Sequence, residues 1–282
     1  MKRNVLECDL TRALDEACEL VKRRIGARTP QVGIILGSGL GTLAEEVEGA
    51  AAIPFAEIPH MRVSTAAGHV GRFVVGDLAG VPVIVSQGRI HGYEGATAQE
   101  VAFPVWLMAR LGVRTLITTN AAGALNESYR PGDFCIMADH MNLTGRNPLA
   151  AQGPANMADR FVGMLDAYDP ALRSIALDAA ARLGIRAHEG VYVGLLGPSL
   201  ETPAEIRMLQ RLGGDTVAMS VCEEVIAARH VGLRVLGMSL VTNMGCGIGG
   251  ANPDDAEVRE MGASKAADFS ALMRAILDRL RS

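Results

Sequence analysis

Several stretches of the 282-residue chain bring together residue types that could do chemistry. Residues 87–95, QGRIHGYEG, hold an Arg, a His, a Tyr and a Glu within six positions. Arg89 and His91, two apart, point to the same side of an extended chain. A guanidinium fork beside an imidazole is suited to clamping an oxyanion. A lone histidine is more often structural, but the three glycines here let the main chain approach a ligand.

Residues 197–206, GPSLETPAEI, place a carboxylate where structure alone does not explain it. The apolar run 191–196 reads as a buried strand and 204–212 has a helical pattern, so Glu201 sits at a strand-to-helix crossing. Thr202 reads as the helix N-cap, Pro203 stands at the first helical position, and Glu205 completes a capping box. Those roles leave Glu201 either a solvated loop acid or a ligand for something polar.

The run 32–36, VGIIL, also reads as a buried strand and leads into Gly37-Ser38-Gly39-Leu40-Gly41. A strand running into glycines and a helix start aims backbone N–H groups at an anion. The dinucleotide fingerprint fails at its third glycine, where Thr42 stands. A single phosphate group fits, with the Ser38 hydroxyl as an added donor, and so does a glycine turn with no ligand. Residues 245–250, GCGIGG, do have the fingerprint letters, but one terminal helix beyond them is too little chain for a dinucleotide unit. A lid or linker is the better reading.

The elements that must position these groups alternate strand and helix. Asp9 can cap a helix over 10–25, closed by Gly26, and strands over 72–78 and 81–86 form a hairpin about Ala79-Gly80. A helix spans 97–111, kinked at Pro104, and a strand over 115–119 ends in the small residues Asn120-Ala121-Ala122-Gly123, which leave room for a ligand. A strand over 134–138 precedes a long polar loop, 139–154, of the kind that is usually functional or at an interface. A helix over 169–183, a short strand over 216–220 with Ser220 at its exit and a helix over 223–230 come next. A strand over 233–241 ends in Thr242-Asn243, and one closing helix runs over 254–280. No repeat or composition break divides the chain, so residues 1–282 read as one α/β domain.

With 27 basic and 31 acidic residues the net charge is −4, and no basic stripe points to nucleic acid or an anionic membrane. The chain has no run of about eighteen apolar residues, the length that spans a bilayer, and residues 1–20 lack the apolar core of a signal peptide. Five scattered cysteines, with no Cys-x-x-Cys pair, read as reduced thiols in a cytoplasmic protein.

Taken in order, GSGLG, GHVGRFVVG, QGRIHGYEG, TNAAGALN, GPSLETPAEI, VAMSVCEEVIAARH and SLVTN resemble the trimeric class of purine nucleoside phosphorylases over nearly the whole chain. The resemblance implies a single α/β domain with a mixed central sheet surrounded by helices, a homotrimer, no metal and no organic cofactor. It implies reversible phosphorolysis of purine nucleosides, with inorganic phosphate as co-substrate. Carried over, the phosphate site is Ser38, Arg89, His91, the main chain at Ala121, and Ser220, with His69 nearby. Tyr93 and Met219 would meet the ribose, and Glu201 and Asn243 the base, with His91, Glu201 and Asn243 as the catalytic set. Phe161 occupies the position of a Phe that closes the ribose side of a neighbouring subunit's site.

Two positions depart from the family pattern. Leu200 stands where the family commonly has a Phe near the base, which forgoes about 0.5–1.5 kcal/mol of aromatic contact. Asp255 stands where a His often meets the ribose 5′-hydroxyl, and would repel a 5′-phosphate. The pairing of Glu201 with Asn243 implies 6-oxopurines, inosine and guanosine, over adenosine. A methylthio-nucleoside phosphorylase on the same fold, and a non-catalytic purine or phosphate binder, are the competing readings.

Overall fold

A computed structural model describes residues 10–66, 68–150 and 157–281. Asp9 and Cys8, and positions 151–156 of the expected polar loop, lie outside the described residues. The strands are β1 (Val32–Leu36), β2 (Glu48–Pro54), β3 (Arg72–Leu78), β4 (Val81–Gln87), β5 (Thr115–Ala124), β6 (Phe134–Asn142), β7 (Ala187–Gly194), β8 (Thr216–Ala218) and β9 (Arg234–Met244). The helices are α1 (Leu10–Ile25), α2 (Ala98–Arg110), α3 (Pro170–Leu183), α4 (Pro203–Arg211), α5 (Cys222–His230), α6 (Asp255–Ser264) and α7 (Ala266–Arg281).

Among the described residues these strands form one mixed sheet in the order β2-β3-β4-β1-β5-β8-β7-β6-β9, and β5 pairs a second time, with β9. That pairing closes β5, β8, β7, β6 and β9 into a ring, from which β1 and the β4-β3-β2 meander lead away. Successive strand residues face opposite layers. Ile34 and Leu36 join Leu172 of α3 and Phe269 and Leu272 of α7, while Ile35 joins Leu14 of α1 and Trp106 of α2. Each large side chain buried this way contributes about 1.5–3 kcal/mol.

β5 creates the space for a site. On one edge it pairs with β1 only as far as Thr118, and with β8 only from Gly123. Residues 119–122 have no strand beside them on that edge, while the other edge runs along β9. Strands that part in this way open a crevice at the carboxyl ends of β1 and β5, where α/β sheets bind ligands.

The main differences between the sequence reading and the structure lie at four places. β2 was not anticipated: it is an outer strand with only Ile53 buried, so it lacks an apolar run. The small residues 120–123 lie inside β5, held by β9, and are not a loop beyond it. The start of the expected loop, Asp139 to Asn142, continues β6, because a bulge after Met137 resets the register against β7. The closing helix is broken at Lys265, where φ is −103° and the N–H donates back to Met261 O and Gly262 O. The apolar spacing continues across that break, which is why it reads as one helix. The Thr202–Glu205 capping box of α4 forms as expected, and the structure adds a Thr97–Glu100 capping box on α2 and an Asp169 cap on α3. Among the described residues no helix is long and apolar enough to cross a membrane, and Cys18, Cys135, Cys222 and Cys246 are free thiols.

Candidate active site

A cavity of about 150 Å³ opens in the crevice beside β5. Ser38 after β1, Arg89, His91 and Tyr93 after β4, and Ala121 on β5 line it. So do Leu200 and Glu201 after β7, Met219 and Ser220 after β8, and Asn243 near the end of β9. The sheet thus brings five distant strand ends to one place.

Arg89 is buried at 3% exposure and all five of its N–H groups have partners. Nε and Nη2 donate to the two Glu224 oxygens at 2.8 and 3.1 Å, and Nη2 also donates to Thr118 Oγ1 at 3.0 Å. Nη1 donates to Thr119 O at 2.6 Å and to Ser220 Oγ at 3.3 Å. The guanidinium therefore meets the cavity through Ser220, whose hydroxyl accepts from Arg89 and keeps its own hydrogen for a ligand. Thr119 O faces this unpaired edge, and Ala121, two residues on, presents its N–H to the same edge.

Ser220 is held from behind. Tyr192 Oη donates to Ser220 O at 2.7 Å and accepts from Ser220 N–H at 3.1 Å. The next residue, Val221, has φ +73°, a conformation unfavourable for a β-branched side chain. Strain of this kind persists where surrounding contacts over-determine the backbone, as at binding sites.

Ser38 is oriented by His69. Arg89 N–H donates to His69 Nδ1 at 3.3 Å, which places the proton of the neutral ring on Nε2, 3.4 Å from Ser38 Oγ. Burial first, then the neighbouring His91 and Arg89, lowers the His69 pKa to about 3, so the ring is neutral. Ser38 accepts from it and retains a hydroxyl hydrogen for the cavity.

His91 lies across from this pair, its ring 5.0 Å from that of His69 and stacked on Tyr93 at 4.6 Å. Its Nδ1 sits 3.1 Å from Glu94 Oε1, a carboxylate that also accepts from His91 N–H at 2.8 Å. Nδ1 facing a carboxylate carries the proton, which leaves Nε2 for a ligand. Burial, reinforced by Arg89, depresses the His91 pKa against the opposing pull of Glu94. Burial works against ionisation of Glu94, but hydrogen bonds from His91 and Thr65 outweigh it and hold the carboxyl below its ordinary range. Burial, with Glu94 adding, pushes the Tyr93 hydroxyl up to about 12.

Glu201 has no cap to serve, because Thr202 and Glu205 bond each other: Thr202 N–H donates to Glu205 Oε2 at 2.7 Å and Glu205 N–H to Thr202 Oγ1 at 3.3 Å. Burial, with the charge of Glu205 adding, raises its pKa. Asn243 Oδ1 accepts from Thr242 Oγ1 at 2.8 Å and Nδ2 donates to Met244 O at 3.0 Å, so one N–H and one lone pair remain. A Cβ on Gly123 would stand 3.1 Å from Asn243 Nδ2, so the glycine makes room for this carboxamide.

Three expected residues stand outside the cavity lining. His69 acts through Ser38. Asp255, the first residue of α6, is exposed and ion-paired with Arg259, close enough to Tyr93 for its charge to help raise that hydroxyl's pKa, while Val258 and Pro253 line the cavity. Positions 255 and 258 are neighbours on the helix surface, and the pairing of Asp255 with Arg259, one turn on, holds its carboxylate toward solvent. Phe161 is 93% exposed and does not reach this chain's cavity. Glu224, Thr118, Glu94, Cys246 and Val258 were not assigned from sequence. Only Glu94 carried a local signal, as the acid three residues after His91.

With this geometry in place, comparisons with known proteins agree. The phosphorylase superfamily model matches residues 31–278. A Geobacillus stearothermophilus protein named purine nucleoside phosphorylase 1 is 48% identical over 265 residues, covering 94% of this chain and 96% of the relative. A Schistosoma mansoni purine nucleoside phosphorylase isoform 2, solved with cytosine and ribose-1-phosphate, superposes with a TM-score of 0.91 at 37% identity, covering 95% and 96% of the two chains. A second Schistosoma mansoni structure, in complex with adenosine, gives 0.90 at 38% identity, covering 95% and 97%. The chain belongs to the phosphorylase superfamily and, within it, to the purine nucleoside phosphorylases.

Proposed function

We propose that this chain catalyses reversible phosphorolysis of inosine, guanosine and their 2′-deoxy forms to the free base and (deoxy)ribose 1-phosphate. The observation that carries the reading is one cavity holding a desolvated carboxylate, Glu201, and a carboxamide, Asn243, together with the anion donors Ser38 and Ser220 and the His91 ring, whose Nε2 can accept from a phosphate O–H. Cleaving the glycosidic bond makes the sugar oxocarbenium-like and puts negative charge on the departing purine. Phosphate attacks the anomeric carbon from the opposite face.

The residues divide that work. Ser38, Ser220 and Ala121 N–H donate to the phosphate and hold it in line, His91 Nε2 accepts from its O–H, and Arg89 sets Ser220 and supplies charge behind it. Asn243 hydrogen-bonds the imidazole-side nitrogen and the 6-oxo group as charge develops there. Glu201 accepts from the ring N–H beside the 6-oxo group, and from the 2-amino group of guanine. Adenine presents a lone pair at that ring position, and sites built on such bonds reject mismatches by about 10⁴-fold. Tyr93 and Met219 pack the ribose. The displacement is not a redox step, so the co-substrate is inorganic phosphate and no organic cofactor is called on.

A homotrimer is part of the reading. It is supported by Phe161 and Leu165, two large apolar side chains four residues apart that are exposed at 93% and 87%. In it Phe161 would close a neighbour's ribose site. Light scattering should give three chains, and a fully active monomer would remove this role from Phe161.

A second reading, turnover of 5′-methylthio nucleosides, is favoured by Val258 and Pro253 lining the cavity while Asp255 sits outside. Rates on inosine, guanosine, adenosine and methylthioadenosine, with and without phosphate, separate the two. A relative's crystal holds adenosine, so turnover is the measurement that matters, and equal phosphate-dependent rates on adenosine and inosine would sink the 6-oxopurine assignment.

A further inference from the structure

Ser38 lies between two glycines that touch other parts of the chain through bare backbone. A Cβ on Gly37 would stand 2.6 Å from Asn120 Cα on β5, and one on Gly39 would stand 2.8 Å from Gly262 Cα on α6. The second contact is mutual, since a Cβ on Gly262 would lie 2.6 Å from Gly39 Cα. Carbons do not approach so closely in a packed interior, so a side chain at any of the three must push the turn or its neighbour away. The turn has little freedom to yield, being closed by Leu40 N–H donating to Gly37 O at 3.1 Å.

Gly262 is the informative member. It is buried within α6, where ordinary helical backbone favours alanine over glycine. Its lack of a side chain therefore answers to the contact with Gly39. Val258, four residues earlier, shares its helix face and lines the cavity. One face of α6 thus covers the cavity with Val258 and seats the Ser38 turn with Gly262.

We infer that Gly262 is a positioning residue for anion binding: its backbone contact with Gly39 sets the height of the Ser38 turn and ties the seating of α6 over the cavity to phosphate occupancy of that turn. The inference rests on the reading of the Ser38 turn as the phosphate site. Reciprocally, inorganic phosphate should steady α6, and a side chain at 262 should weaken phosphate while leaving the base contacts alone.

Gly262→Ala tests this against Ala263→Ser, an exposed neighbour on the same helix. The expected result is a folded variant with a lowered melting temperature, since overpacking costs more than the helix gains from alanine, a KM for phosphate raised about tenfold or more by a displacement of roughly 1 Å, and kcat at saturating phosphate largely kept. Ala263→Ser should match the unsubstituted protein. In the unsubstituted protein, inorganic phosphate should slow amide exchange across residues 255–264, a measurement that stands even where a variant folds poorly. An unchanged phosphate KM in folded Gly262→Ala, or no phosphate-dependent protection of 255–264, overturns the inference. Ser38→Ala keeps the two ideas apart: if it leaves phosphate KM unchanged, the phosphate reading of the turn fails as well, whereas a rise there with none in Gly262→Ala defeats only the role of Gly262.

Discussion

Arg89 and Glu224 form a two-bond ion pair, Nε to Oε1 at 2.8 Å and Nη2 to Oε2 at 3.1 Å, with side chains 3% and 2% exposed. A pair this deep is strongly destabilised by removing one partner, by about 3–5 kcal/mol, because the other charge is left buried alone. Glu224→Gln should therefore lower the melting temperature. Phosphate, bound beside the uncompensated guanidinium, should restore more stability to the variant than it adds to the unsubstituted protein. Thermal melts in phosphate and in chloride at matched ionic strength check this, and equal phosphate shifts in both proteins would contradict it.

Because Arg89 has no N–H left over, Ser220 is the group through which it meets the anion. Ser220→Ala removes one hydrogen bond to a charged group, about 1.5–3 kcal/mol. The KM for phosphate should rise about 10- to 100-fold by that figure, with the KM for inosine little changed. Initial rates over a grid of both substrates resolve the two, and an equal rise in both constants would place Ser220 elsewhere than at the anion.

What could be read from the sequence was local, and what could not was long-range. The Thr202–Glu205 capping box is set by a three-residue spacing, so the start of α4 and the unexplained Glu201 were both visible. Glu224 is 135 positions from Arg89, and nothing in the helical pattern of 223–230 distinguishes a partner for a buried guanidinium from a surface acid. Apolar runs mark strands, so the small residues 120–123 were read as a strand's end although β9 holds them within β5. Asp255 and Val258 are three residues apart on α6, and the helical pattern alone does not say that Val258 enters the cavity while Asp255 pairs with Arg259.

Glu201 bears a stability cost in the absence of substrate. Burial raises its pKa above the ordinary 4.5, so the folded chain binds that proton more tightly than the unfolded chain. Stability contributed by this carboxyl therefore falls as pH rises through the raised value. Glu201→Gln should melt no lower than the unsubstituted protein at pH 7, with the difference closing toward pH 4. Its kcat/KM for guanosine should fall by about 10- to 100-fold or more, the loss of a desolvated acceptor facing two donors, and the inosine-to-adenosine ratio should narrow. A variant that keeps its discrimination would assign the 6-oxopurine edge to another residue.

His69 gives the opposite sign. Its pKa, about 3 in the fold against an ordinary 6.5, means that the unfolded chain takes up a proton which the folded chain refuses. The stability that comes from keeping this ring neutral is complete above about pH 6.5 and is lost as pH falls toward 3, on the order of 5 kcal/mol over that window. His69→Asn keeps an acceptor near Nδ1 for Arg89 N–H and removes the titration. Denaturant melts between pH 4 and 8 in phosphate-free buffer should show a shallower acid slope for the variant, with the contribution of His91 unchanged in both proteins. Parallel curves would mean that the ring charges in the folded state, and that Ser38 is not held by a neutral His69.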